Sequence, residues 1–208
     1  ETTMKLHNSV GPNPHVVRMF MAEKGITLPI VTVDLMGGEN RRPPYNTAVN
    51  PAGQTPALEL DDGRFVCEIT TICEYLEELQ PSPALVGTTP EERAETRMWT
   101  RRIDLNICEP MTNAFRAAEG RPIFEKRIML VGPSGAEELK AIAKDRLKWF
   151  GDQMGDRQFV CGDRLTLADI LLYCFLTFGA AVGQPLASEH AWTAAWIKRM
   201  DARPSAKA

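Results

Sequence analysis

The sequence has no apolar run near the ~18–20 residues that a membrane-spanning helix needs. The longest greasy stretch, Ile170–Gly183, is interrupted by Tyr173, Thr177 and Gly179 and reads as a buried helix. Histidine is scarce, with three in 208 residues, and no two of the five cysteines form a Cys-x-x-Cys pair. A zinc site therefore lacks ligands, and no metal is expected. Cys67, Cys73, Cys108, Cys161 and Cys174 are odd in number, and most lie in apolar runs. That favours reduced, buried thiols over a disulfide framework. Positive charge is not in excess either: the net charge is -3 and the pI is near 5.7. Nucleic acid and anionic membrane surfaces are therefore not expected partners. Glu1-Thr2-Thr3-Met4-Lys5 lacks the charged-then-apolar pattern of a secretory signal, so the expected location is cytoplasmic. There are no internal repeats and no low-complexity tracts.

What is present suits one or two folded domains. Hydrophobic residues make up 44% of the chain and charged residues 25%, enough to build a core and keep it dissolved. Residues 1–80 hold six basic and eleven acidic residues, whereas 81–208 hold eighteen and sixteen. The change falls at Gln80-Pro81-Ser82-Pro83, where two prolines cannot extend a helix. Thr88-Thr89-Pro90-Glu91-Glu92 then reads as a helix start. The expected division is a domain over 1–80, a linker over 81–90 and a second domain over 91–208.

The first part mixes strands and helices. Met4–His7 reads as a strand, Pro14–Lys24 as a helix ended by Gly25, and Ile30–Leu35 as a β-rich run. A long loop follows through 36–53. Thr55–Leu60 and Arg64–Cys67 flank Asp61-Asp62-Gly63 and read as a hairpin, and Thr70–Leu79 as a closing helix. The β-α-β, loop, β-β-α order is the thioredoxin-like layout, with a right-handed first crossover. The second part reads as all-α. Its helices are expected at Glu91–Ala118 with a kink or break at Pro110, at Glu137–Met154, at Ile170–Ala181 and at Glu189–Ala202. Thr166-Leu167-Ala168-Asp169 is a capping box for the third, whose apolar faces place it at the centre of a bundle.

Three local features carry chemistry. In Gly53-Gln54-Thr55-Pro56-Ala57-Leu58 a proline opens a strand, although it donates no ladder bond. A cis Pro56 there leaves the Thr55 N–H and C=O free for an extended ligand. Glu68-Ile69-Thr70-Thr71-Ile72-Cys73 joins a strand end to a helix and gathers a carboxylate, hydroxyls and free N–H groups. Such a site suits an α-carboxylate with its ammonium. The loop from Asn8 to His15, rich in small polar residues, aims at the next helix start.

With these motifs in this order from about Met4 to Pro204, the sequence resembles the cytosolic glutathione transferases. Val33-Asp34-Leu35 and Asn50-Pro51-Ala52-Gly53-Gln54 are also similar to the family. The closest likeness is to the bacterial and fungal subgroup with a Pro-Asn loop in place of a catalytic tyrosine. The resemblance implies a thioredoxin-like α/β N-terminal domain, an all-α C-terminal domain, and glutathione as cosubstrate. Thr55, beside Pro56, is expected to pair with the cysteinyl unit and Glu68 to take the γ-glutamyl ammonium. The helix start at Ile69 and Thr70 takes the carboxylate, and Gln54 and Asn40 face the glycine end. Ile69 stands where the family usually has Ser or Thr. The missing hydroxyl contact is expected to weaken binding by about 1 kcal/mol unless Thr70 or a basic residue compensates.

The expected chemistry is transfer of the glutathione thiolate to a small apolar electrophile. Glutathione-dependent peroxide or disulfide reduction is a variant within the same class. A free thiol near pKa ~8.5 is only a few per cent ionised at pH 7, so donors aimed at sulfur are needed. Asn13 and Ser9 are the leading candidates, with His7, backbone N–H or water remaining. The electrophile pocket is expected between the first loop and the helix Trp99–Phe115, with Arg101, Leu105 and Met111 among its walls. A homodimer with a role in detoxification is expected by the same resemblance. The rival reading is a non-catalytic binding or regulatory protein on this fold, and Ile69 is the feature favouring it. A protein-cysteine oxidoreductase is disfavoured, because no cysteine occupies the first loop.

Overall fold

The computed structural model describes residues 2–184, 186 and 190–208. They form two compact units, Glu1–Ala84 with Lys207–Ala208, and Leu85–Ala206.

The first unit is built on a four-stranded sheet in the order β2-β1-β3-β4. β1 (Lys5–Asn8) pairs parallel with β2 (Ile30–Thr32) and antiparallel with β3 (Ala57–Glu59), which pairs antiparallel with β4 (Phe65–Val66). Helices α1 (Pro12–Lys24) and α2 (Ile69–Leu79) pack together. Their inner faces supply Val16, Val17, Met19, Phe20, Ile72 and Leu76 to a core with Leu6 and Leu58, all buried. Leu6 and Leu58 lie opposite each other in the ladder, so period-two alternation sends His7 and Glu59 to the other face. The thioredoxin-like α/β architecture expected for this part is the one observed.

Local chemistry shifts two boundaries. α1 starts at Pro12, two residues before the expected start, because proline has the right φ for the first helical position and forgoes no bond there. β2 stops at Thr32, three residues short of the expected run. The Asp34 carboxylate accepts from the Gly37 N–H at 2.8 Å and the Glu39 carboxylate from the Asp34 N–H at 2.6 Å, offering the backbone turns in place of a ladder. The loop beyond holds a 3-10 turn at Glu39–Arg41 and a π-helical turn at Tyr45–Val49.

The second unit is helical, as expected. It contains α3 (Pro90–Ile103), α4 (Glu109–Ala117), a short α5 (Arg121–Phe124), α6 (Pro133–Met154), α7 (Leu167–Ala181) and α8 (Ala191–Asp201). Glu189, the expected start of the last helix, lies outside the described residues; His190 caps α8 by accepting from the Trp192 N–H at 3.1 Å. Pro110 does not end the long helix. A π-helical turn at Asp104–Cys108 joins α3 to α4 immediately before it, absorbing the position where proline donates no helical bond. α7 is buried from Leu167 to Leu176 and packs against α3 and α4. At its start Asp169 accepts from the N–H groups of Thr166 and Val160 and from the Trp196 indole, at 2.9–3.0 Å. No helix among the described residues is long and apolar enough to cross a membrane. None of the five cysteines forms a disulfide, and four are buried; Cys67 is half-buried.

Candidate functional site

The β1–α1 connection turns at Gly11, whose φ of +111° admits no side chain without strain. Pro12 and Pro14 carry no N–H, and the His15 N–H reaches back to the Gly11 carbonyl at 3.4 Å. Asn13 therefore supplies the only unbonded backbone donor in the first four positions of α1, among the described residues. Its side chain is half-buried and has no hydrogen-bond partner there. Ser9 is buried, with its hydroxyl 2.5 Å from that of Thr55 and donating to the Val10 carbonyl at 3.0 Å. The Arg18 guanidinium donates to Asn8 Oδ1 at 2.6 Å and to the Ser9 carbonyl at 3.4 Å. A crevice of about 550 Å³ opens here, lined by Asn8, Ser9, Val10, Arg18, Leu35 and Met36 among others.

The Thr55–Pro56 bond is cis, and β3 begins one residue later. Thr55 is buried, yet among the described residues its N–H and C=O have no partner. The preceding carbonyl, of Gln54, is by contrast doubly held, by the Tyr45 hydroxyl at 2.7 Å and Asn50 Nδ2 at 3.0 Å. The Gln54 side chain is exposed. Asn40 is buried and donates through Nδ2 to the Gly53 carbonyl at 2.7 Å, while its Oδ1 is unpaired. It anchors the loop under Gln54.

Glu68 is exposed and has φ +69°, the one non-glycine residue with positive φ among the described residues. Such a conformation costs on the order of 1–3 kcal/mol and gathers at functional sites. No side chain caps α2, so the N–H groups of Ile69, Thr70 and Thr71 remain for a ligand beside that carboxylate. Burial, and next the neighbouring Glu68 charge, raise the pKa of Cys67, which keeps it a thiol. His7 is engaged elsewhere: its Nε2 lies 2.8 Å from Glu59 Oε2, and its ring meets Phe65 edge-on.

In the helical unit Arg101 and Leu105 are exposed, Leu105 inside the π-helical turn. Met111 is fully buried against Gly179 of α7 and belongs to the helical core rather than to an open wall. Arg102 lies over the Trp99 ring, 4.8 Å from its centroid.

Sequence reasoning passed over Arg18, Tyr45 and Asn50. A charge inside the apolar run Val16-Val17-Arg18-Met19-Phe20 was a usable signal for the first. The other two sit in an irregular loop whose path no periodicity reveals.

A cis proline opening the third strand of a β2-β1-β3-β4 sheet, beside an uncapped helix start, defines a thioredoxin-fold protein with a helical partner unit. Residues 10–79 match the family model for the glutathione S-transferase N-terminal domain and residues 131–204 that for the C-terminal domain. Glutathione S-transferase 2 of Saccharomyces cerevisiae is 33% identical over 199 residues, covering 95% of this chain and 84% of its own. Glutathione S-transferase GstA of Escherichia coli O157:H7 is 30% identical, covering 97% and 94%. The crystal structure of Gtt2 from Saccharomyces cerevisiae superposes with a TM-score of 0.90 at 31% identity, covering 98% of each chain. The chain belongs to the glutathione S-transferase family, and its activity is that of a glutathione transferase.

Proposed function

We propose that the chain holds glutathione along its first unit and passes the thiolate to a small apolar electrophile. The observation carrying this reading is the buried Thr55, whose free N–H and C=O adjoin a cis proline. Those groups pair with the cysteinyl backbone. Glu68 takes the γ-glutamyl ammonium, and the N–H groups of Ile69 and Thr70 take its carboxylate. Gln54 faces the glycine end, and Asn40 acts by anchoring Gly53 rather than by touching the ligand.

Asn13 is the thiolate donor in this reading, through its free side-chain amide and N–H. Ser9 already spends its hydroxyl proton within the protein. This is the Pro-Asn arrangement in place of a tyrosine. Each unit of thiol pKa lowering requires about 1.4 kcal/mol of differential stabilisation, within reach of one or two charge-assisted donors. The sulfur then forms the new S–C bond, the leaving group departs with the bonding electrons, and the thiol proton goes to solvent. Arg101 and Leu105 are the proposed electrophile contacts of the helical unit. Residues 1–80 are the glutathione-binding domain and 91–208 the substrate domain. A cytoplasmic homodimer completes the reading.

Retention on immobilised glutathione tests it. Glu68→Ala should abolish retention while the circular dichroism spectrum is unchanged; full retention by the variant sinks the assignment.

A further inference from the structure

The thiol loop and the cis-proline segment are 46 residues apart in sequence, yet Ser9 Oγ and Thr55 Oγ1 lie 2.5 Å apart in a buried setting. We propose that Ser9 is a positioning residue whose hydroxyl, bonded to that of Thr55, ties the thiolate-binding loop to the segment that holds the ligand's backbone. The inference rests on the reading of Asn13 and Thr55 as glutathione contacts and adds how the two are kept in register.

The Ser9 hydroxyl has the Val10 carbonyl as an acceptor at 3.0 Å, and either hydroxyl can donate in the short contact. With the Ser9 proton on that carbonyl, Thr55 donates to Ser9 and both protons are engaged within the protein. Arg18 secures the same loop from the other side, through Asn8 Oδ1 and the Ser9 carbonyl. The loop leading to Asn13 is thus clamped between α1 and Thr55.

The clamp matters because the ligand is short at this point, with one rotatable torsion between backbone and sulfur. Only the Cα–Cβ–Sγ bonds separate a cysteinyl backbone on Thr55 from its sulfur. If the loop moves by an ångström relative to Thr55, backbone and sulfur cannot both be satisfied, and misplacement of that size can cost about 100-fold in rate. Ser9 therefore acts on the thiol through the position of Asn13.

A double-mutant cycle tests this. Ser9→Ala, Thr55→Val, the double variant and the conservative Thr55→Ser are compared with the wild type. Glutathione affinity is read by calorimetry, and the pKa of the bound thiol by thiolate absorbance against pH. Ser9→Ala and Thr55→Val should each weaken affinity about tenfold and raise the bound-thiol pKa equally. The double variant should be no worse than either single one, and Thr55→Ser should stay within about twofold of wild type. A raised thiol pKa in Ser9→Ala alone would make Ser9 a direct donor and overturn the proposal. Additive effects, or none, overturn it as well. Absence of glutathione binding by the wild type would instead defeat the underlying reading. For that reason amide exchange of residues 9–13 is followed without ligand: equal acceleration in both single variants supports the tie, and unequal or absent acceleration refutes it.

Discussion

Asn13 and Glu68 show two ways in which a residue is held ready. Asn13 has a free amide at a helix start that its flanking prolines strip of other donors. Asn13→Ala should raise the pKa of bound glutathione by about one unit and lower kcat/KM about tenfold at neutral pH, with recovery as the pH rises. The pH–rate profile checks this, and an unshifted profile rejects Asn13 as the donor. Glu68 instead carries backbone strain at φ +69°. Glu68→Ala keeps that strain, whereas Glu68→Gly relieves it. Of two variants that both lose the proposed ammonium contact, the glycine one should be the more stable by about 1 kcal/mol in urea unfolding.

At the scale of elements, α1 and α2 are joined by a buried pair. Lys24 Nζ donates to Glu77 Oε1 at 2.6 Å and to the Pro83 carbonyl at 2.6 Å, which holds the chain leaving α2. Gln80 adds a bond to the Lys24 carbonyl. Lys24→Met should destabilise the protein by about 3–5 kcal/mol, because it removes the ammonium that faces the buried Glu77 carboxylate. Lys24→Met with Glu77→Leu should recover most of that in chemical denaturation. The start of α7 responds to pH. Burial raises the Asp169 pKa to about 6, against the lowering effect of its four donors. The folded protein then binds this proton more tightly than the unfolded chain, whose value is near 3.9. The stability gained is fully present below about pH 4 and is lost as pH rises through 6, by on the order of 2–3 kcal/mol. Asp169→Asn should remove that slope from a plot of unfolding free energy against pH.

At the scale of the whole molecule, the sequence disclosed whatever depends on nearby residues. Pro56 and Glu68 stood out because a proline opening a strand and a charge ending one are locally odd. The α7 capping box and apolar helix body were equally plain. The Ser9–Thr55 contact was not legible, since it joins two loops whose approach only the sheet determines. The burial of Asn40 and its bond to the Gly53 carbonyl depend on packing that one sequence does not reveal. Met111 was assigned to a wall when only a helical face could be read, and its depth against Gly179 depends on α7. The cysteines followed composition: four are buried and none forms a disulfide. A disulfide reagent should therefore find at most Cys67 in the native protein, and slowly, because its thiol is held protonated. It should find all five after denaturation; rapid native reaction of two or more would contradict this packing.

The proline pair around Asn13 has one more consequence. Proline gives no amide signal, so in a proton–nitrogen spectrum only Asn13 reports from the first three positions of α1. If Asn13 is the proposed thiolate donor, its resonance should shift with the charge on the bound sulfur. A single peak, followed through a titration of isotope-labelled protein with glutathione, would then read out thiol ionisation with no reporter group attached.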